Sequence, residues 1–131
     1  MGLPHLESPE SPDFLFHLSQ VPGDDGERGE WEVTLNADHP ILMGHFPGMP
    51  VVPGVMQLFL VRRVCEGLIG HPLCWTEIHR AKFFKPWTPE AFPRARMRVR
   101  TEALEGHALK VEASVFSEQV QILSLKGILR K

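Results

Sequence analysis

The folds that this chain can adopt are limited most by one segment, VMQLFLVRRVCEGLI at residues 55–69. It has helical length, and Gln57 is its only polar residue before Arg62. A helix that is apolar on every side belongs in a protein interior. Pro53 suits the first turn of such a helix, where a missing N–H costs nothing, and Gly70 is typical of its end. The rest of the chain must therefore enclose one helix.

The remaining segments predict β-strands. Residues 13–19 and 31–36 alternate between apolar and polar side chains before the helix, and residues 94–101 (RARMRVRT) alternate strictly after it. Residues 73–87, 107–116 and 119–130 complete the set, joined by short polar turns. We predict an α+β fold in which a curved antiparallel sheet wraps around the buried helix.

Length and composition limit the domain organisation and the classes of function. The 131 residues fit one domain at 13–131, preceded by a Pro/Ser-rich flexible arm at 1–12. A formal net charge of -2 lacks the basic excess of a nucleic-acid binder, and no apolar run is long enough to span a membrane. The first residues lack the pattern of a secretory signal. Cys65 and Cys74 form no disulfide framework and no CxxC motif, so we expect reduced thiols in a cytoplasmic protein.

The segment ADHPILMGHFPGMPVVP at residues 37–53 is the best candidate for a functional loop. Its four prolines and two glycines predict a stiff loop without a regular element. Its many apolar residues favour burial, which is unusual for so long a loop and often functional.

His45 in this loop and Gly54 just after it could form a catalytic pair. Burial lowers the pKa of a histidine and keeps the imidazole neutral, so that it can act as a general base. Gly54 lies at the predicted helix N-terminus, where backbone N–H groups are unpaired and a missing side chain lets a carbonyl approach. A base beside such an N–H could remove a proton α to a thioester. The alternative, more common for a lone histidine in a Pro/Gly loop, is a structural role.

The string HFPGMPVVPGV at residues 45–55 resembles the H-F-P-x-x-P-x-x-P-G-V signature of hotdog-fold (3R)-hydroxyacyl-[acyl carrier protein] dehydratases. AKFFKPWTPE at residues 81–90 resembles the A-x-F-x-x-P-V-x-P-G strand of the same family. The resemblance extends from about residue 13 to residue 130. It implies a hotdog fold and a dimer, or a larger assembly, with active sites at the subunit interface.

The resemblance also implies roles for individual residues. His45 corresponds to the base that removes the C2 proton, and the Gly54 N–H to the group that polarises the thioester carbonyl. Phe46, Val55 and Phe59 fall at substrate-binding positions. The family carboxylate lies fourteen residues after the histidine, where this chain has Phe59, and no Asp or Glu occurs between His45 and Glu66. Glu66 lies two turns further along the helix and would point elsewhere.

Gln57 is the nearest polar residue to that missing carboxylate. An amide can bind a substrate hydroxyl or orient a water, but it cannot donate a proton as a carboxylic acid does. Gln57 is therefore a candidate catalytic helper, or a buried side chain bonded to loop backbone. The most favoured function is a dehydratase. A thioesterase that holds a water near the helix N-terminus, and a non-catalytic subunit that binds an acyl chain or a carrier protein, are the alternatives.

Partners follow from the same chemistry. The substrate would be carried on the phosphopantetheine of acyl carrier protein or on coenzyme A, and neither a metal nor a diffusible cofactor is needed. The arginines that alternate along residues 94–101 predict either a solvated strand face or a docking surface for an acidic carrier protein. The residues proposed for docking are Arg94, Arg96 and Arg98. A hetero-oligomer with an active relative is a further possibility, since a second chain could supply the acid.

Overall fold

A computed structural model describes residues 15–23, 28–44 and 48–131 of the chain. The predicted flexible arm at residues 1–12 lies outside these described residues. The described elements, in chain order, are β1 (Phe16–Val21), β2 (Arg28–Leu35), α1 (Pro40–Gly44), α2 (Gly54–Ile69), β3 (Cys74–Phe83), β4 (Arg94–Leu104), β5 (Ala108–Ser117) and β6 (Val120–Arg130).

The strands form one antiparallel sheet in the order β1-β2-β4-β5-β6-β3. Strand β3 follows the helix along the chain but pairs with β6, so it forms one edge of the sheet. The α+β prediction is confirmed. The predicted strand at 73–87 ends earlier, at Phe83, and Trp87 lies in the following loop with its side chain fully buried.

The two faces of the sheet differ in polarity, as the alternation along β4 predicts. Ala95, Met97 and Val99 are buried on the inner face, which packs towards α2, whereas the arginines between them are exposed on the outer face. Cross-strand neighbours of Met97 are Trp31 on β2 and Val115 on β5, and all three are buried. The core therefore lies between the inner face of the sheet, α2 and the loops that flank α2.

Helix α2 begins and ends close to the predicted positions. Gly70 follows it in the left-handed conformation with a φ of 76°, which glycine adopts without steric cost, and its N–H bonds the Glu66 carbonyl. The prediction that α2 is buried on every side was wrong, because in the single chain part of the helix surface is exposed. Leu60, Val61 and Val64 are buried, but Val55 is 64% exposed, because a single sheet covers one side of a helix.

The loop at residues 37–53 contains the short helix α1, which the prolines and glycines did not predict. Pro40 is its first residue, where the missing proline N–H costs no hydrogen bond. The buried His39 precedes it and accepts a hydrogen bond at Nδ1 from the Ile41 N–H, at 3.1 Å. Leu42 is also buried, so this part of the loop is anchored in the core as its composition indicated.

Candidate active site

The two sequence strings that carry the family resemblance meet in the folded chain. The Val52 N–H, just before α2, donates a hydrogen bond of 2.8 Å to the carbonyl of Trp87. Trp87 packs against Phe16, with ring centroids 5.7 Å apart, and its Nε1 donates to the Phe92 carbonyl. The residues before the helix are therefore held against the core by the segment that follows β3.

The N-terminus of α2 presents backbone donors without partners. No side chain caps the helix, and the first hydrogen bonds in this turn are donated by Met56 and Gln57 to the Pro53 carbonyl. Among the described residues, no acceptor is bonded to the N–H groups of Gly54 or Val55. With the helix dipole, these donors favour a negatively charged or strongly polarised oxygen.

Phe83 occupies the space that Gly54 leaves by having no side chain. A Cβ at residue 54 would lie 3.0 Å from Cζ and 3.3 Å from Cε1 of the Phe83 ring. The sequence predicted that a substrate carbonyl would approach through this space. In the structure an aromatic ring at the end of β3 lies there. Phe83 is 46% exposed at the sheet edge, and its ring lies beside Gly54.

Gln57 is almost completely buried, with 3% of its surface exposed. Its Nε2 donates a hydrogen bond of 3.3 Å to the Val52 carbonyl, as the structural interpretation of this residue predicts. Its Oε1 is buried and has no hydrogen-bond partner among the residues that the structure describes. A buried acceptor without a donor costs free energy, so this oxygen is a candidate for binding a hydroxyl or a water.

Phe59, at the position where the resemblance implies a carboxylate, is half-buried. The guanidinium carbons of Arg62 and Arg63 lie 5.3 Å and 5.9 Å from its ring centroid, within the range of cation–π contacts. This position of α2 therefore supplies an aromatic surface and no acid.

Glu66 is the only carboxylate on α2, and its partners hold it away from the first turns of the helix. Its oxygens accept hydrogen bonds from Arg62, at 2.8 Å, Arg63, at 3.0 Å, and the Leu73 N–H, at 2.8 Å. Burial raises the pKa of this carboxyl, but the Leu73 hydrogen bond and the two arginines outweigh it, so the pKa is lowered overall. An ionised, fully bonded carboxylate cannot serve as the missing acid.

His45 and Phe46 lie outside the described residues, between the end of α1 at Gly44 and Gly48. Their predicted roles remain predictions. Described residues near them in the sequence include exposed apolar side chains, with Met43 71%, Met49 72% and Val55 64% exposed. Of these, Val55 lies in the first turn of α2.

The arginines proposed for carrier docking lie on the outer face of the sheet, opposite to α2. Arg96 and Arg98 both bind the carboxylate of Glu30 on β2, at 2.6 Å and 2.8 Å. The hydrogen bond from Arg98 is the main reason that the pKa of Glu30 is lowered. Two of the three proposed docking side chains thus already have a partner within the chain, which the alternation along β4 did not reveal.

The described part of the chain contains no cluster of three or more His, Cys, Asp or Glu side chains arranged to bind a metal ion. None of the described helices has the length and apolar character that a membrane span requires.

Residues 21–122 match the ApeI-like family, described as ApeI dehydratase. A 3-hydroxyacyl-[acyl-carrier-protein] dehydratase FabZ from Wolbachia sp. subsp. Drosophila simulans is 27% identical over 129 residues, covering 93% of this chain and 90% of the relative. A FabZ from Rhizobium leguminosarum bv. trifolii is 30% identical over 112 residues, covering 77% and 71%.

Solved structures have the same fold. The dehydratase heterocomplex ApeI:P from Xenorhabdus doucetiae matches with a TM-score of 0.60 at 19% identity, covering 87% of this chain and 99% of that chain. A protein described as from the thioesterase superfamily matches with a TM-score of 0.57 at 13% identity, covering 86% of this chain and 82% of that chain. The predicted hotdog fold, a curved antiparallel sheet packed on one long helix, is confirmed.

Proposed function

This chain belongs to the ApeI-like dehydratase family, and we propose that it removes water from a 3-hydroxyacyl thioester carried on acyl carrier protein. The observation that supports this most directly is at the first turn of α2. There the N–H groups of Gly54 and Val55 lie on the same helical turn as the buried Oε1 of Gln57, and none of these atoms has a hydrogen-bond partner among the described residues. The substrate has two groups that match them, a thioester carbonyl that accepts and a 3-hydroxyl that donates.

In the proposed reaction, His45 takes the proton from C2 of the substrate. The electron pair moves towards the thioester carbonyl, whose developing negative charge is stabilised by the Gly54 N–H and the dipole of α2. The C2–C3 double bond then forms as the C3–O bond breaks. Gln57 is 3% exposed in the free chain, so its side chain is proposed to move as the substrate enters; its Oε1 then accepts a hydrogen bond from the leaving hydroxyl and holds its oxygen in place. These steps use a base, an acid and a polarised carbonyl, so the chemistry requires no metal or diffusible cofactor.

The hydroxyl must gain a proton to leave as water, and the acid for this step is proposed to come from another chain. Gln57 cannot donate as an acid, Glu66 is bonded to Arg62 and Arg63, and Phe59 stands at the family position. A carboxylate on a second subunit would complete the site. That subunit is a second copy if this chain can place another acidic residue there, and otherwise a related hotdog chain; the Xenorhabdus structure is itself named as a dehydratase heterocomplex.

The exposed edge of the sheet is the proposed assembly surface. Nearly every residue of β3 is exposed, and the outer edge of this strand has no neighbour among the described strands. Unpaired strand edges readily pair with another chain. Ile78 is 41% exposed in the middle of β3, so Ile78→Lys should weaken the assembly. Light scattering would show this as a fall in mass, whereas Val120→Lys, at the start of β6, should leave the mass unchanged.

A reducing, cytoplasmic location is proposed from the cysteines. Cys65 and Cys74 are both free thiols. Burial, together with the neighbouring Glu66 charge, raises the pKa of the Cys65 thiol to about 12, so it stays protonated and unreactive.

The test is to incubate the purified chain with a 3-hydroxyacyl-carrier protein and weigh the carrier by mass spectrometry. Loss of one water, abolished by His45→Ala, supports the proposal. Release of a free carrier thiol would instead establish the thioesterase alternative, with Gln57 and the helix N-terminus holding a water. If neither product forms, the assay is repeated with the partner chain that co-purifies. Failure there too would leave a subunit that binds acyl chains or carrier protein without catalysis.

A further inference from the structure

The ring of Phe83 lies close to the backbone nitrogen at which the thioester carbonyl is proposed to bind. A Cβ at Gly54 would lie 3.0, 3.3 and 3.5 Å from Cζ, Cε1 and Cε2 of Phe83, so the far edge of the ring faces the helix. A Cβ stands about 2.5 Å from its own backbone nitrogen, so this edge lies within about 5.5 Å of the Gly54 nitrogen. Helical Cα–Cβ bonds tilt towards the N-terminus, so the ring lies at the same end of α2 as the N–H groups of the first turn.

The backbone of Phe83 is fixed by the sheet, whereas its ring has an open side. Phe83 pairs with the fully buried Leu123 of β6, and the N–H of the next residue, Phe84, donates a hydrogen bond of 2.8 Å to the Ile122 carbonyl. A side chain on a paired strand holds its position more precisely than one on a loop. An apolar ring that is held in place and still partly exposed can set a steric limit for a molecule that binds at the helix N-terminus.

The position of Gln57 indicates which part of the substrate would meet the ring. Residues three positions apart are neighbours on a helix surface, so the Cβ direction of Gly54 and the side chain of Gln57 lie on the same side of α2. In the proposed complex the thioester carbonyl binds at Gly54 and the 3-hydroxyl at Gln57. The carbon between these two groups of the substrate is C2. The path of C2 therefore runs past the edge of the Phe83 ring.

We propose that Phe83 is a specificity-determining residue that restricts this site to 3-hydroxyacyl thioesters without a branch at C2. The inference rests on the proposed function, because it takes the Gly54 N–H as the donor to the carbonyl. Carbon atoms in contact lie about 3.5–4.0 Å apart, so a methyl group on C2 would have to displace a ring edge that is this close to the bound carbonyl. One carbon more or less in an apolar site changes kcat/KM by about 10- to 200-fold.

The test compares (3R)-3-hydroxybutyryl-pantetheine with both C2 epimers of its 2-methyl derivative. The protein is the full chain with any subunit that co-purifies, and the measured quantity is the ratio of kcat/KM for the branched and unbranched substrates. The effect of the methyl group on intrinsic reactivity cancels when this ratio is compared between a variant and the native protein. Phe83→Ala should raise the ratio at least about tenfold for one epimer.

Phe84→Ala is the matched control, because it removes the neighbouring ring, whose centroid lies 4.9 Å from the Lys82 Nζ. It should change the ratio less than about twofold. Phe83 is partly exposed, so its replacement is expected to leave the chain folded. If Phe83→Ala does not fold, Phe83→Leu carries the same test; its shorter side chain should raise the ratio by a smaller factor.

Binding of acyl groups that cannot lose water separates this inference from the proposed function. In titration calorimetry the native protein should bind butyryl-pantetheine at least about tenfold more tightly than 2-methylbutyryl-pantetheine, and Phe83→Ala should remove most of this difference. Water loss from the unbranched substrate without a preference that depends on Phe83 overturns the inference and leaves the proposed function intact. The same preference in binding, without water loss in the assay, supports the inference and contradicts the proposed dehydration. The inference is also overturned if neither compound binds, or if Phe84→Ala changes the preference as much as Phe83→Ala.

Discussion

The ring of Phe83 lies against the α-carbon of Gly54, so close that a Cβ at residue 54 would stand 3.0 Å from the ring. This contact joins the end of strand β3 to the first turn of helix α2. It brings together the two sequence strings that resemble the dehydratases, although Gly54 and Phe83 are far apart along the chain. A side chain at this position would require the Phe83 ring to move by a few tenths of an ångström.

The contact predicts that Gly54→Ala will change the free energy of unfolding in opposite directions in the native sequence and in a Phe83→Ala variant. In the native sequence the added methyl should press on Phe83 and lower the free energy of unfolding by about 1 kcal/mol. In a Phe83→Ala background the same change should raise it by about 0.5 kcal/mol, since alanine favours a helix more than glycine does. Urea unfolding of the native protein, the two single variants and the double variant measures both changes in the free energy of unfolding. Equal effects in the two backgrounds would mean that the ring does not limit residue 54.

Replacement of Gln57 should separate activity from stability. Gln57→Leu removes the hydrogen bond to the Val52 carbonyl, but it also removes a buried Oε1 that has no partner among the described residues. These effects oppose each other, so the free energy of unfolding should change by less than about 1 kcal/mol. The kcat for dehydration should fall at least about tenfold, because the leaving hydroxyl loses its acceptor.

Met56→Leu, one residue earlier and half-buried, is the matched control for that experiment and should keep activity within about twofold. If Gln57→Leu retains full activity in the same assay, Gln57 serves only to hold the loop before α2.

Glu66 should make stability depend on pH in the acid range. The pKa of its carboxyl is lowered from the ordinary value of 4.5, so it stabilises the fold above that value and loses this effect as the pH falls through the lowered value. At pH 7, Glu66→Gln should cost about 2 kcal/mol by leaving Arg62 and Arg63 without their carboxylate. The difference between the two proteins should shrink towards pH 3.

Urea unfolding between pH 7 and pH 3 measures this effect. Glu90→Gln, at an exposed position, is the control and should leave the stability nearly unchanged at every pH. A constant gap between wild type and Glu66→Gln across this range would contradict the role assigned to Glu66.

Glu30 provides a test of the carrier-docking hypothesis for the arginines of β4. Its carboxylate binds Arg96 and Arg98, so Glu30→Gln releases both side chains. If these arginines dock an acidic carrier protein, the variant should bind it about two- to fivefold more tightly at low salt, while Arg94→Glu should weaken binding. Glu102→Gln is the control, because it changes the net charge by the same amount as Glu30→Gln but lies at the exposed far end of β4. Equal effects of Glu30→Gln and Glu102→Gln would show a response to net charge alone.

The local elements were predictable because each has a periodicity that is written in consecutive residues. The strict alternation of residues 94–101 identified β4 and its polar face, and the apolar run at 55–69 identified α2 to within one residue. Gly70 marked the end of the helix because left-handed backbone favours glycine. The absence of a carboxylate at the position that the resemblance implies, where this chain has Phe59, was also a property of the sequence.

Other features depend on which elements become neighbours, and no local pattern reports that. Pairing of β3 with β6 placed β3 at the sheet edge and brought Phe83 to Gly54. The register of β2 against β4 set Glu30 between Arg96 and Arg98, and the turn after α2 gave Glu66 its third partner at Leu73.

The sequence by itself determined the elements, the polarity of their faces and the positions that match the dehydratase signature, because side-chain periodicity and backbone preference act between residues a few positions apart. Only the tertiary structure decided that the side-chain Nε2 of Gln57 donates a hydrogen bond to the Val52 carbonyl. The same holds for its buried Oε1, which has no partner among the described residues. A hydrogen bond between the helix and the loop before it depends on distances of a few ångströms, which exist only once the loop, the strands and the helix have packed together.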